Sequence, residues 1–217
     1  MALSPQMLLA NVARQRCISK FKELPTLVNE DEKATKTAAV LVPLCVHDGE
    51  VCLLYTLRSS KLKSHSGQVS FPGGMTEPNE THIETALRET EEEVGVPRDN
   101  VDVWSPMPQV QGRNNLPITP VVGVIRNFDI NELQKNPHEV DEIFLVPMKS
   151  FCDTRNHAHW EYMGAALPVF IHEKHKIWGI TGAITNLFLN CFLPDSEFKD
   201  DFLRKKFEMD ELMPAKL

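Results

Sequence analysis

A chain of 217 residues can bury one full core, and a composition of 42% apolar and 24% charged residues is that of an ordinary globular domain. A net charge of -7 excludes a protein built as a whole to coat nucleic acid or an anionic membrane, leaving room only for a local basic patch. The five cysteines, Cys17, Cys45, Cys52, Cys152 and Cys191, are scattered and form no C-x-x-C pair, which reads as reduced thiols in an intracellular protein rather than a disulfide frame or a zinc site.

The pattern from Ser4 to Phe21 is helical, with Met7, Leu8, Val12 and Cys17 near one face. Asn29–Lys36 reads as a polar loop. The longest apolar stretch, Ala38–Val46, is far short of a membrane span, and no secretory signal is expected. Thr37–Val46 and Val51–Leu57 read as strands joined across His47-Asp48-Gly49-Glu50, whose D-G pair marks a hairpin. The polar and basic stretch Arg58–Ser66 follows. Gly67–Phe71 reads as a short strand, and Pro72-Gly73-Gly74 is expected to stop regular structure. Thr81-His82-Ile83-Glu84 fits a capping box, so a helix is expected from Thr81 to a left-handed cap at Gly95. Val101–Val110, Ile118–Ile125 and Glu142–Val146 are further strands. Leu167–His172 and Lys176–Trp178 read as a hairpin, Thr181–Phe192 as an apolar helix, and the last twenty residues as a charged, loosely held tail. The expected division is an N-terminal helix and lead-in over 1–36, one α/β domain over 37–194 and a charged tail over 195–217.

The chemistry is concentrated in residues 73–96, GGMTEPNETHIETALRETEEEVGV. Glu89, Glu92 and Glu93 stand at i, i+3 and i+4, so they share one face of the expected helix. Carboxylates so placed repel one another unless cations lie between them, and hard oxygen ligands suit Mg2+ or Mn2+. Glu91-Glu92-Glu93 alone is ordinarily a solvated acidic face. The whole segment is more specific: it resembles the Nudix box, G-x5-E-x7-R-E-U-x-E-E-x-G-U, with Gly74, Glu80, Arg88, Glu89, Glu92, Glu93, Gly95 and Val96 in register. Thr90 departs, standing where an aliphatic residue is usual, a change expected to alter packing under the helix and not the metal site.

The stretch before it, from Leu54 to Gly74, resembles the added signature of the coenzyme A diphosphatases, L-L-T-x-R-S-x3-R-x3-G-x3-F-P-G-G. Leu54, Thr56, Arg58, Ser59, Gly67, Phe71, Pro72, Gly73 and Gly74 match, while Tyr55 replaces a leucine and Lys63 an arginine. The resemblance covers roughly residues 8–193 and looks most like the animal enzymes of mitochondria and peroxisomes. It implies a Nudix α/β/α sandwich with a mixed sheet and a loop-helix-loop metal site. It further implies metal-assisted hydrolysis of the diphosphate of coenzyme A and its acyl esters to 3′,5′-ADP and (acyl-)4′-phosphopantetheine. The ligands expected are Glu89 and Glu93, with Glu92 next, either binding metal or orienting water. Arg88, beside them, is better placed to pin the preceding loop or Glu80. One of Glu139, Asp141 and Glu142 is expected as general base or extra ligand, with Glu142 carried among the catalytic residues. Arg58, Ser59, Lys63, Gly67, Phe71, Gly73 and Gly74 are the expected substrate contacts, with Lys61 a further cation and His65 a weaker candidate. The alternatives are a Nudix hydrolase of ADP-ribose or NADH, which lacks the 54–74 signature as a whole, and a silent sensor of coenzyme A or nucleotide, which usually loses box carboxylates.

Ala215-Lys216-Leu217 is a variant of the Ser-Lys-Leu peroxisomal address and implies an import receptor as partner. Arg14, Arg16, Lys20 and Lys22, with no acid among the first 22 residues, would instead suit a mitochondrial segment. The peroxisome is the expectation and the mitochondrion the alternative.

Overall fold

Pro5 opens the first helix at the position where a missing amide hydrogen costs nothing. In the computed structural model, which describes residues 2–25, 28, 36–62 and 64–213, that helix, α1, spans only Pro5–Leu8. Ala10 is extended and α2 runs over Asn11–Glu23, so the single helix expected from Ser4 to Phe21 is two. Ala13, Cys17 and Phe21 recur every fourth residue as the buried stripe of α2.

β1 (Ala38–His47) and β2 (Glu50–Arg58) make the expected hairpin, with Asp48 and Gly49 both at positive φ as its tight turn requires. The strands pair only from His47↔Glu50 to Leu44↔Leu53, and beyond that they part. The gap is filled from within the chain. β3 (Val69–Ser70) pairs with Thr56 and Leu57 of β2, and β4 (Gly73–Met75) pairs with Ala38–Val40 of β1. The Gly-Gly segment expected to end regular structure is therefore itself a short strand, and it delivers the chain to α3 (His82–Val94).

β5 (Val101–Pro106) and β6 (Val110–Gln111) lie antiparallel to β7 (Pro117–Ile125), and β7 runs parallel to β1. β8 (Val140–Pro147) covers the free side of β2, completing an eight-stranded mixed sheet. After the short α4 (Met148–Cys152), β9 (His157–Tyr162), β10 (Ala165–His172) and β11 (His175–Ile177) form a separate three-stranded antiparallel sheet. α5 (Gly179–Phe192) and α6 (Met209–Leu212) follow.

Alternation along β1 divides the core into two layers. Ala39, Leu41 and Cys45 face α3 with Ala86, Val94 and Val121. Val42 and Leu44 face the other way, against Cys17 and Phe21 of α2 and Phe188 and Phe192 of α5. The result is the expected α/β/α sandwich. The segment after Leu193 departs from expectation: Phe198, Phe207 and Leu212 are buried, the last two under β9 and β10 with Trp160 and Val169, and burial of that apolar area holds the charged segment to the domain. Ala215-Lys216-Leu217 lie outside the described residues.

Candidate active site

The site is set by how α3 begins, leans and ends. Thr81 accepts from the Glu84 amide at 3.2 Å while Glu84 accepts from the Thr81 amide at 2.7 Å, so the capping box fixes the start. Gly95, at φ 77°, ends the helix in the left-handed region. Thr90 is fully buried under the helix, and its hydroxyl donates to the Ala86 carbonyl at 2.6 Å. That bond satisfies the one polar group by which Thr90 departs from the box.

The helix leans closely on β4. A Cβ built on Gly74 would fall 2.5 Å from the Glu89 carboxyl carbon, and one on Gly73 would fall 2.4 Å from the Ala39 carbonyl. Glycine at both positions is what lets the Glu89 carboxylate and the β1 backbone approach the turn. Arg88 locks this arrangement. Its guanidinium donates to Glu80 Oε1 at 2.7 Å and Oε2 at 3.1 Å, to Glu89 Oε1 at 2.9 Å, to Glu92 Oε2 at 3.2 Å and to the Met75 carbonyl at 3.1 Å. The paired guanidinium holds the Glu80 carboxyl down at about 2.

Glu93 is the most unusual group. Its side chain is 4% exposed; Oε1 is 3.8 Å from Arg58 Nη1, and Oε2 is buried with no partner. Burial pushes its carboxyl up to about 8; Arg58 opposes this, and Glu89 and Glu139 add to it. Burial likewise raises Glu89, against the pull of Arg88. Glu92 is half exposed.

Glu139 belongs to this group through its loop. The Gln134 amide donates to the Val94 carbonyl at 3.0 Å, and the Asn136 amide to the Glu93 carbonyl at 2.9 Å. These bonds seat the loop on the end of α3 and bring Glu139 into the field of Glu89 and Glu93. The Glu139 carbonyl accepts from the Ser59 amide at 2.8 Å, and Asp141 Oδ2 accepts from the Ser60 amide at 2.8 Å. Asp141 thus braces the 58–60 segment instead of joining the carboxylates.

Glu142 does not fit the catalytic role expected of it. It sits opposite Leu57 on the strand face away from α3 and pairs with Lys174 at 2.9 Å and His175 at 3.4 Å. Arg58, next after Leu57 on β2, falls on the α3 side by strand alternation, while the register shift leaves Asp141 unpaired in β8 and Glu142 on the Leu57 face. Phe71 is also not a surface contact: it is 2% exposed and stacks on Tyr55 at 4.6 Å. Ser59 is fully buried, its hydroxyl accepting from the Lys61 amide at 3.3 Å. Gly67, at φ 67°, returns the chain so that its amide donates to the Arg58 carbonyl at 3.0 Å. These three signature residues shape the loop that presents Arg58. Lys61 is exposed, and His65 is exposed with its ring against Gln68 Oε1 at 2.9 Å. Lys63 lies outside the described residues.

A cavity of 640 Å³ opens beside Glu89, bordered by Lys36, Thr37, Met75, Thr76, Glu77 and Pro78. No spacing in the sequence marks Lys36 or Thr76 as part of a site; strand pairing across β1 and β4 alone brings them together.

Among known families, the NUDIX domain matches residues 35–166. The chain belongs to the Nudix family. Among curated relatives, a mitochondrial coenzyme A diphosphatase of Mus musculus is 42% identical, over 72% of this chain and 78% of the relative. A peroxisomal coenzyme A diphosphatase of Mus musculus is 44% identical, over 82% of this chain and 77% of the relative. Nudix hydrolase 3 of Caenorhabditis elegans is 33% identical, over 94% of this chain and 98% of the relative.

Nudix hydrolases use divalent metal ions. Among the described residues no three carboxylate, imidazole or thiol groups converge as a ready-made ion cage. A hard cation such as Mg2+ needs none, because it takes one or two carboxylates, keeps several waters and binds substrate phosphates. The buried, unpartnered Oε2 of Glu93 next to Glu89 fits such an ion: an oxygen removed from water and given no hydrogen-bond donor is stabilised by a cation. Glu89 and Glu93 would hold it. When bound, it would neutralise charge on the diphosphate and make a coordinated water more acidic.

Proposed function

We propose that this Nudix hydrolase is a coenzyme A diphosphatase, splitting coenzyme A and its acyl esters at the diphosphate with Mg2+ or Mn2+. The observation that carries this reading is the meeting of two sequence motifs in one place. Arg58 of the 54–74 signature stands 3.8 Å from Glu93 of the box, and Gly74, which both motifs share, lies against Glu89 of the box. Two relatives at 42% and 44% identity carry the coenzyme A diphosphatase name.

In this reading Glu89 and Glu93 hold the metal, and Glu92 either joins them or orients water. Arg88 is a positioning residue, since its donors are engaged by Glu80, Glu89, Glu92 and the Met75 carbonyl. Arg58, 3.8 Å from Glu93, would meet a phosphate oxygen of the substrate. Glu139, in the field of the two ligands, takes the proton of the attacking water. Residues 37–194 are the catalytic domain, with α1 and α2 and the described part of the C-terminal segment, 195–213, packed around it. Of the compartments named for the two relatives, mitochondrion and peroxisome, we prefer the peroxisome; fluorescence microscopy of the tagged full-length chain separates them.

Chromatographic product analysis tests the assignment. Coenzyme A, several acyl esters, ADP-ribose and NADH are incubated in parallel with enzyme and Mg2+ or Mn2+, with Glu93→Gln alongside. Release of 3′,5′-ADP from the coenzyme A compounds, abolished in the variant, is expected. Faster cleavage of ADP-ribose or NADH would refute the substrate assignment.

A further inference from the structure

The cavity beside Glu89 falls within the size range of small-molecule sites, roughly 300–1,000 Å³. Its walls come from two segments tied to each other and to the metal helix. The Thr76 amide donates to the Thr37 carbonyl at 2.9 Å. Arg88, which grips Glu89, also grips the Met75 carbonyl. The cavity is therefore fixed relative to the Glu89 carboxylate.

Several lining groups have no structural use. Lys36 is exposed and forms no ion pair among the described residues. Among the described residues it is the single cation lining the cavity, which Glu77 and Glu89 also border. Thr76 Oγ1 is buried without a hydrogen-bond partner. Met75, next to it, is 42% exposed, an apolar surface turned outward at a site edge.

We propose that this cavity receives the adenosine 3′-phosphate half of coenzyme A, with Lys36 meeting the 3′-phosphate. The inference rests on the coenzyme A reading above and concerns which arm of that substrate lies here. A diphosphate held at Glu89 has two arms. The pantetheine arm carries no anion, so a lysine facing it would have nothing to neutralise. The other arm ends in a phosphomonoester carrying a charge of about -1.5 to -2 at neutral pH, and a lysine ammonium is a compact partner for such a group. The flat purine suits the soft, polarisable Met75 side chain.

Steady-state kinetics on coenzyme A and 3′-dephospho-coenzyme A, with wild type, Lys36→Ala and Lys36→Arg, decide the matter. Lys36→Ala is expected to raise KM for coenzyme A by about tenfold, the size of one charge-assisted hydrogen bond, with kcat kept. The same variant should leave 3′-dephospho-coenzyme A within about twofold, and Lys36→Arg should recover most of the loss. Titration calorimetry in EDTA supplies a readout free of turnover: Lys36→Ala should weaken 3′,5′-ADP and leave 5′-AMP unchanged. Equal losses on both substrates, or no loss on either, overturn the assignment of Lys36. If wild type cleaves neither compound, the coenzyme A reading itself fails and this one with it, an outcome visible without any variant.

Discussion

Glu93→Gln should destroy activity and yet stabilise the metal-free protein at alkaline pH. The folded-state carboxyl of Glu93 sits at about 8 against an ordinary 4.5, chiefly through burial. A raised acid binds its proton in the folded state over a range where the unfolded chain has released it. Stability from this group is therefore intact below about pH 4.5 and is lost as pH rises to about 8, at up to about 1.4 kcal/mol per pH unit. The full loss above pH 8 is about 5 kcal/mol, a large part of the stability of a typical domain, about 5–15 kcal/mol. Glutamine keeps the shape and removes the ionisation. Urea denaturation in EDTA, at pH 5 and pH 9, measures the difference between variant and wild type, so titrating groups not coupled to Glu93 cancel. The variant is expected to match wild type at pH 5 and to exceed it by several kcal/mol at pH 9. Saturating Mg2+ should raise wild type more than the variant, because the variant keeps Glu89 but loses one of the two expected ligands, and mass action follows the weaker binding. A variant equally or less stable at pH 9 would show that Arg58 and local water already compensate the buried charge.

Gly74→Ala places a Cβ 2.5 Å from the Glu89 carboxyl carbon and should cut kcat/KM about a hundredfold in a protein that still melts cooperatively, as steady-state assays and calorimetry would show. Arg88→Met leaves Glu80, Glu89 and Glu92 without their shared partner; a thermal-melt loss of about 1–3 kcal/mol is expected alongside loss of activity. Glu139→Gln should lower kcat at least tenfold while Glu142→Gln leaves it within about twofold, and the reverse order would return the base to Glu142. Thr90→Val removes a hydroxyl already bonded within its own helix, so stability should stay within about 1 kcal/mol, the net worth of one such bond, and kcat should be unchanged.

The placing of Glu89 and Glu93 together on α3 is readable because helical spacing is a strong local rule, and the caps that frame α3, Thr81 and Gly95, follow equally local chemistry. That Glu139 lies in the field of Glu89 and Glu93 while Glu142 pairs with Lys174 and His175 is not readable from the sequence. A one-residue shift exchanges the two faces of a strand, and the shift at Leu57/Arg58 is a property of pairing, not of local sequence. Phe71 and Ser59 match the signature and were expected at the substrate, yet they serve beneath the surface, since a motif records which residues recur and not which way they point. β9 was missed because its alternating residues include His157 and His159, both buried here though histidine reads as polar. The segment after Leu193 looked loose by charge. Its few aromatics decide its place, through contacts with a small sheet of which only the β10–β11 hairpin is legible in the sequence.

The loop carrying Glu139 is clamped at both ends, to the final carbonyls of α3 through Gln134 and Asn136 and to the β2 end through Ser59. The stretch between β7 and Gln134 is outside that clamp. Its residues from Arg126 to Glu132 are exposed or half-exposed. Length added there would lengthen an outer arc and leave the anchored portion in place. That arc is accordingly the point at which a partner-binding or reporter peptide could be grafted, or a lineage could acquire an insertion, with the carboxylate geometry inherited intact.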